Sequence, residues 1–152
     1  MFAEGQVLKF DPFLFKNGAP SKPKYYVVLK HLDFAGGLMM ASLPTSQDHV
    51  PGDLSDRTGC VSFPERGVNA YVFAAGEQVT DTGFVFPLKT YVYGEQVDEY
   101  SQSYLDAMGS KVEDLGLLPS DRLEVLSCYR IEQSACHLTI LMEKSRMCIV
   151  GM

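Results

Sequence analysis

The chain has 152 residues, of which 46% are hydrophobic and 21% are charged. This length favours a single domain with a real core, and the composition is that of a globular protein rather than a disordered one. The formal charge of -6, from 13 basic and 19 acidic residues, argues against broad electrostatic binding to nucleic acid. A local basic groove remains compatible with the sequence, because four lysines lie close together: Lys16, Lys22, Lys24 and Lys30.

Neither a membrane span nor a metal site is predicted. No apolar run is long enough to cross a bilayer, and the opening "MFAEGQVLKF" lacks the basic region and apolar stretch of a signal peptide. We therefore expect a cytoplasmic protein. No CxxC pair occurs, and no histidine lies at metal-ligand spacing from a cysteine, so we expect no metal, no cofactor and reduced, buried thiols. The cysteines are Cys60, Cys128, Cys136 and Cys148.

The first two-thirds of the chain predicts β-strands. "QVLKF" alternates apolar and polar residues, with Val7 and Phe10 facing inward, and "KYYVVLKHL" is rich in β-branched and aromatic residues. Turn-forming segments such as "KNGAPSKP" and "DFAGG" separate the strands. Further strands are predicted at "GGLMMASL", "NAYVFAA", "GFVFPL" and "TYVYGEQV".

The last third predicts short helices. In "DEYSQSYLDAMGSKVEDLGLL", apolar residues lie close to helical spacing at Tyr104, Leu105, Met108, Val112 and Leu115, with Gly109 and Gly116 as interruptions. A second helix is predicted to start at Pro119 and Ser120. Its buried stripe would be Leu123, Leu126, Cys128 and Ile131. The segment "HLTILME" fits either a strand or a continued helix.

These patterns predict one domain over residues 1–152, mainly β with C-terminal helices, of the α+β class. Several short strands with turns between them indicate a small barrel or a sandwich, and the absence of helices between the early strands argues against parallel βαβ units. The strands would occupy residues 1–100 and the helices residues 101–152.

A set of short motifs resembles the MazF/PemK (Kid-like) family of small β-barrel toxins. A G-x-V strand and "FDPF" precede a polar loop, "LFKNGAPSKPK", and the strand "YYVVL" follows. "LPTS" ends the third strand, so Thr45 and Ser46 stand where the family has a Thr-Ser pair. "TYVYGEQV" places Glu95, Gln96 and Val97 at the family's acidic–Gln–hydrophobic triplet. The resemblance covers roughly residues 4–100.

The resemblance implies a small β-barrel that cleaves single-stranded RNA and is paired with an antitoxin-like protein, and it implies a homodimer. The family loop usually carries an Arg followed by Pro. Here Lys24 precedes Tyr25, whereas Lys22 precedes Pro23, so either lysine could occupy the basic position. Tyr93 stands where the family often has an Arg.

Metal-free RNA cleavage needs a base, an acid and a cation at the phosphate. By resemblance, the catalytic residues would be Lys24, Thr45, Ser46 and Glu95. Lys24 would supply charge, the two hydroxyls would donate hydrogen bonds, and the base would be Glu95 or the nearby His49. Substrate binding would involve Lys22, His49, Gln96 and Tyr93.

Each of these residues also has a structural interpretation. Lysines protect strand edges, Thr45 and Ser46 suit turns, and "DHVP" fits a turn capped by Asp48. The sequence therefore leaves two functions open. One is a toxin-like RNA-binding protein that acts as a metal-independent endoribonuclease. The other is a non-catalytic barrel that binds a protein or nucleic acid, for which apparently exposed apolar residues such as Met39, Met40 and the "CIVGM" tail would form an interface.

Overall fold

The computed structural model describes residues 2–32, 36–43, 58–63, 68–93, 97–124 and 126, and these residues are mainly β. In chain order, the strands are β1 (Gln6–Phe13), β2 (Lys22–His31), β3 (Gly37–Ser42), β4 (Gly59–Phe63), β5 (Val68–Phe73), β6 (Thr90–Tyr93), β7 (Val97–Ser101) and β8 (Lys111–Leu117). One helix, α1 (Gln102–Ala107), lies between β7 and β8, and residues 120–124 are also helical.

The strands form two antiparallel sheets. The larger has the order β7-β3-β2-β1-β8, and the smaller has the order β4-β5-β6. Among the described residues, no strand pairing joins the two sheets, so neither closes into a barrel. The prediction of a mainly β chain with short helices is confirmed at this level.

Both faces of the larger sheet are apolar, because successive residues of a strand point to opposite faces. On one face, Val7, Val27 and Ala41 join a core shared with Tyr71, Phe73 and Val92 of the smaller sheet. On the other face, Leu8, Val28 and Met40 join an aromatic cluster whose rings are Phe10, Phe13, Tyr26 and Tyr100. Val7 and Phe10 are both buried as predicted, but on opposite faces.

The aromatic face is covered by α1 and by the segments that flank β1. Leu105 of α1 is 2% exposed, and Tyr104, Met108, Phe2 and Phe15 pack around the cluster. Ser101 caps the helix by accepting a hydrogen bond from the backbone N–H of Tyr104. A helix was predicted at this point from the spacing of Tyr104, Leu105 and Met108, and α1, with Met108 as its C-cap, confirms it.

The helical prediction is wrong for residues 111–117. These residues form β8, which pairs with β1 so that Lys9 faces Glu113 and Phe10 faces Val112. The apolar residues of this segment have helical spacing, but the segment forms a strand because the backbone groups at the edge of β1 need hydrogen-bonding partners. The C-terminal portion predicted as helical over 101–152 is therefore interrupted by a strand. Leu126 is 2% exposed and Leu123 packs on the same core, as predicted, whereas Cys128 and Ile131 lie outside the described residues.

A turn at residues 80–82 closes one end of the β8 edge. Thr80 and Thr82 both donate to the Leu115 carbonyl, at 2.6 and 2.7 Å, and Asp81 exchanges two hydrogen bonds with the backbone of Leu117. Gly116 has a φ of +100°, and a Cβ there would lie 2.6 Å from Asp81 Oδ1. Only glycine lets the turn dock this closely.

Two further predictions are wrong. "GFVFPL" does not form a strand. Its sheet-like contacts among the described residues are an isolated bridge between Gln78 and Val85 and two backbone hydrogen bonds, from Gly76 to Phe86 and from Val79 to Phe84, and Phe86 is fully buried in the core. Met39 and Met40 are not an exposed interface. They are 3% and 0% exposed, on opposite faces of β3. The "CIVGM" tail and "HLTILME" lie outside the described residues.

Candidate functional site

Lys24 lies near the start of β2, with Phe10 of β1 as its cross-strand partner. It is half-buried, whereas Lys22 is exposed and faces Phe13. Strand alternation puts both lysines on the same face as Tyr26. The two lysines that competed for the basic position are thus neighbours on one face, and Lys24 is the one held closer to the protein body.

The pKa of Lys24 is lowered, first by burial of the ammonium group and second by the charge of Lys22. A lysine in this setting has lost part of its hydration. It gains more from a nearby anion than a fully hydrated lysine does, because the anion replaces lost solvation. The arrangement suits an ammonium that binds a phosphate.

The end of β3 reaches the same place. Ser42 pairs with Tyr26, and the backbone N–H of Leu43 donates to the Tyr25 carbonyl at 3.0 Å. The chain therefore leaves β3 beside Tyr25, next to Lys24. The predicted residues Thr45, Ser46 and His49 follow within a few positions, and they lie outside the described residues.

The start of β7 is the third segment at this end of the sheet. Val97 pairs with Ala41 of β3, so β7 begins beside the end of β3, and β3 lies between β7 and β2. Glu95 and Gln96 immediately precede it and lie outside the described residues. Because β2, β3 and β7 are antiparallel neighbours, the start of β2, the end of β3 and the start of β7 all fall at one end of the larger sheet.

Tyr93 is 4% exposed in β6, and its ring stacks on Tyr91 with centroids 5.8 Å apart. It belongs to a small buried cluster with Ala70 and Val72. One ring face is therefore occupied by Tyr91. The predicted role of Tyr93 in substrate binding stays a prediction, and any such contact would have to use atoms other than that face.

Lys16 holds the loop between β1 and β2 against β7. Its ammonium lies 3.5 Å from Asp98 Oδ2 and 4.2 Å from the centre of the Tyr100 ring, and it donates to the Glu99 carbonyl. Tyr104 donates to the Leu14 carbonyl at 2.9 Å, which fixes the start of the same loop. Lys16 thus anchors the loop that leads to Lys22 and Lys24.

A buried tyrosine pair lies beneath this anchor. Tyr26 shares side-chain hydrogen bonds with Tyr100 and Ser42, and burial, with Tyr100 as the next contributor, raises the pKa of Tyr26 well above its ordinary value. Burial also raises the pKa of Tyr100. Both hydroxyls stay protonated at neutral pH and serve as hydrogen-bonding groups rather than as bases. Sequence reasoning missed this network, because Tyr26 and Tyr100 are far apart in the chain and no strand was predicted at residues 98–101.

The four lysines do not form one basic groove. Lys30 pairs with Met39 at the far end of β2, about 20 Å from Lys24 at roughly 3.3 Å per residue. Lys16 is paired with Asp98. Of these four lysines, Lys22 and Lys24 are therefore the two that the structure leaves at the start of β2 without a described ion pair.

Within the described ranges, no group of three His, Cys, Asp or Glu side chains could hold a metal ion, and no helix is long and apolar enough to cross a membrane. No family model, curated protein or solved structure shows significant similarity to the chain. The MazF/PemK resemblance therefore remains a prediction that rests on its motifs.

Proposed function

We propose that this chain is a toxin-like RNA-binding protein that cleaves single-stranded RNA without a metal ion, in the manner of the MazF/PemK family. One observation carries the proposal. Lys24, the end of β3 and the start of β7 lie at one end of the larger sheet, and they are the three chain segments to which the family motifs map.

The proposed chemistry assigns each residue a separate task. Lys24 stabilises the charge that develops at the scissile phosphate, and Thr45 and Ser46 donate hydrogen bonds to its oxygens. Glu95 removes the proton of the 2′-hydroxyl, with His49 as the alternative base. Lys22, Gln96 and Tyr93 contribute to binding of the RNA strand. A lysine replaces the bidentate Arg of the family, so the phosphate is held by charge rather than by a fork of two hydrogen bonds.

The rest of the proposal follows from the same resemblance. The two sheets share one apolar core, which is compatible with the small barrel that the family adopts. A homodimer, an antitoxin-like protein partner and action on RNA in the cytoplasm belong to the proposal. In the alternative function, a non-catalytic binding module, the same end of the larger sheet binds a protein or nucleic acid and does not cleave RNA.

The test is cleavage of a long single-stranded RNA in EDTA by wild-type protein, Lys24→Ala and Glu95→Gln, with Lys30→Ala as the matched control. Lys30 is an exposed lysine of the same strand at its far end. We expect discrete products from the wild type and from Lys30→Ala, and a loss of roughly 100-fold or more in the other two variants.

Each other outcome has a defined meaning. Equal cleavage by all four proteins identifies a contaminating nuclease and removes the support for this site. Loss of cleavage in EDTA contradicts the metal-free mechanism. Saturable RNA binding without cleavage selects the binding module, and absence of both contradicts the proposal.

The pH dependence of RNA binding tests Lys24 separately. The lowered pKa means that Lys24 loses its proton at a lower pH than an ordinary lysine, so binding should weaken as the pH rises through that value. In Lys22→Ala the repulsive neighbour is gone, the pKa of Lys24 rises, and the weakening should move to higher pH. Titration of 2′-fluoro RNA, which resists alkaline hydrolysis, measures both curves. A midpoint that Lys22→Ala leaves unchanged would argue against Lys24 as the binding cation.

A further inference from the structure

The outer edge of β8 contains a short stretch that no other part of the described chain covers. The turn at residues 80–82 bonds Leu115 and Leu117, but no described hydrogen bond reaches the outer backbone edge of residues 111–114. All four of these residues are exposed, and Val112 is 37% exposed, which is high for a strand valine. At the other end, Ser110 is tied to the Pro12 carbonyl. The open edge thus runs from residue 110 to residue 114, with Val112 at its midpoint.

An unpaired strand edge binds another strand unless something prevents it. Charged side chains usually prevent it, and Lys111, Glu113 and Asp114 are charged. Their order makes the edge complementary to itself, however, because residues of opposite sign flank Val112.

Symmetry restricts how two copies of this edge can pair. In an antiparallel pair, the backbone groups of two facing residues either both point toward the partner strand or both point away from it. Two identical strands related by a two-fold axis must therefore be centred on one residue that faces its own copy, and the axis lies at that residue. An axis at Lys111 would place two lysines opposite each other, and an axis at Glu113 would place two glutamates opposite each other. Like charges directly opposite are destabilising. An axis at Val112 instead pairs valine with valine and places Lys111 opposite Glu113 in both halves.

The charges of β1 extend this pattern. Within one chain, Asp11 faces Lys111 and Lys9 faces Glu113. Pairing about Val112 would therefore give rows across four strands in which the sign alternates, from Asp11 to Lys111, then to Glu113 and Lys9 of the second copy. Each row has opposite charges at every step.

The ends of the open edge also fit a second copy. In the same register, Leu115 faces Gly109 of the other chain. Gly109 has no side chain, so it adds no bulk beside Leu115 and the turn at 80–82. Ser110, whose hydroxyl donates to the Pro12 carbonyl, faces Asp114 and is uncharged, so this pair adds no repulsion between like charges.

We propose that two copies of this chain pair antiparallel through Ser110 and residues 111–114 of β8, with the two-fold axis at Val112. The pairing joins the two five-stranded sheets into one sheet of ten strands. It is independent of RNA cleavage, because its contacts lie at the β8 edge and the candidate site lies at the end of β2, β3 and β7.

A charge exchange tests the register. Lys111→Glu places glutamates at both 111 and 113, and Glu113→Lys places lysines at both. Each variant alone should dimerise roughly tenfold or more weakly than wild type, because both symmetric pairs become repulsive. An equimolar mixture should recover most of the dimer, since both pairs across the axis are again of opposite sign, while the like charges that the substitutions place beside Asp11 and Lys9 within each chain remain. Sedimentation equilibrium over a concentration series measures this, with Lys30→Glu as the control for net charge.

Recovery in the mixture separates the interface from folding damage, because two misfolded chains would not regain dimers when mixed. Wild-type protein that stays monomeric at high micromolar concentration would overturn the proposal. So would a dimer that neither single reversal weakens, or variants that each weaken the dimer but do not recover it together.

Disulfide formation gives a second and independent test of the axis. Val112→Cys places a thiol opposite its own copy, whereas Glu113→Cys places it opposite Lys111. Mild oxidation should link Val112→Cys into a covalent dimer and leave Glu113→Cys largely unlinked, with wild type as the control for the four natural cysteines. Equal linking of both variants, or linking of neither, would overturn the proposed register.

Discussion

At the β7 edge of the larger sheet, side chains bond both backbone groups of Glu99, since Asp98 accepts from its N–H and Lys16 donates to its carbonyl. At the β8 edge, bonding to other parts of the described chain stops at Leu115. One edge is thus capped by single side chains, and the other is capped at residues 115–117 by a whole turn. A turn anchored by four hydrogen bonds is expected to stabilise its edge more than an exposed lysine does, and substitutions at each edge can measure the difference.

The largest effect is expected from Gly116→Ala at the β8 edge. The methyl group would lie 2.6 Å from Asp81 Oδ1 and 2.7 Å from Thr82 Oγ1, at a φ of +100° that alanine disfavours. We expect a loss of about 3 kcal/mol in the free energy of unfolding, from backbone strain and from displacement of the turn. Urea unfolding measures it.

Gly76→Ala is the matched control for that substitution. Gly76 also has a positive φ, of +75°, but a Cβ there would meet nothing within 4 Å. Gly76→Ala should lower the free energy of unfolding by about 1 kcal/mol, from backbone strain alone. Equal losses in the two variants would show that the docked turn adds nothing to the stability of the edge.

An intermediate effect is expected from Thr80→Val. Thr80 is 1% exposed, and it donates to the Leu115 carbonyl, which retains its bond from Thr82. We expect a loss of about 1 kcal/mol and faster amide exchange at Leu117, whose N–H bonds to the adjacent Asp81. Hydrogen exchange with urea unfolding measures both quantities.

Thr90→Val serves as the comparison, because Thr90 is equally buried and its hydroxyl donates to the Leu88 carbonyl at 3.0 Å. It should cost a similar amount of stability without changing exchange at Leu117. If both variants accelerate that exchange to the same extent, the turn is not what protects the β8 edge.

The smallest effect is expected from Lys16→Met at the β7 edge. The ion pair with Asp98 is exposed, with 44% of the lysine side chain and 57% of the aspartate side chain accessible. We expect a loss of no more than about 0.5 kcal/mol, which should shrink at high salt because solvent ions screen the pair. Lys30→Met should be close to neutral under both conditions. A loss from Lys16→Met as large as that from Thr80→Val would reverse the ranking of the two edges.

The sequence allowed much of the strand order to be predicted and little of the long-range pairing. β1, β2, β3, β5 and β6 were found because β-branched and aromatic runs between turn residues are local signals. β8 was predicted as a helix because Val112 and Leu115 have helical spacing, and its strand conformation depends on β1, about a hundred residues earlier. β4 was not predicted, because only Val61 and Phe63 of "GCVSF" are β-branched or aromatic.

The same distinction applies to the candidate site. Lys22 and Lys24 were located from a motif, and antiparallel pairing alone explains why they share an end of the sheet with the end of β3 and the start of β7. The anchoring of Lys16 to Asp98 and Tyr100 could not be predicted, since these residues are more than eighty positions apart. Of the four lysines from which a basic groove was inferred, only Lys22 and Lys24 therefore stay as candidates for it.

The pairing of β1 with β8 also bears on how the chain emerges from the ribosome. The first strand ends at Phe13, and its outer neighbour is complete only at Leu117, so 104 residues must be added before that edge of β1 is covered. At synthesis rates of about 5 to 20 residues per second, the wait is on the order of 5 to 20 seconds. During that interval, the nascent chain exposes a strand edge next to Leu8 and Phe10, two of the most deeply buried residues of the finished protein. Chaperone binding to this protein is therefore expected to be strongest on translation intermediates that end before residue 111.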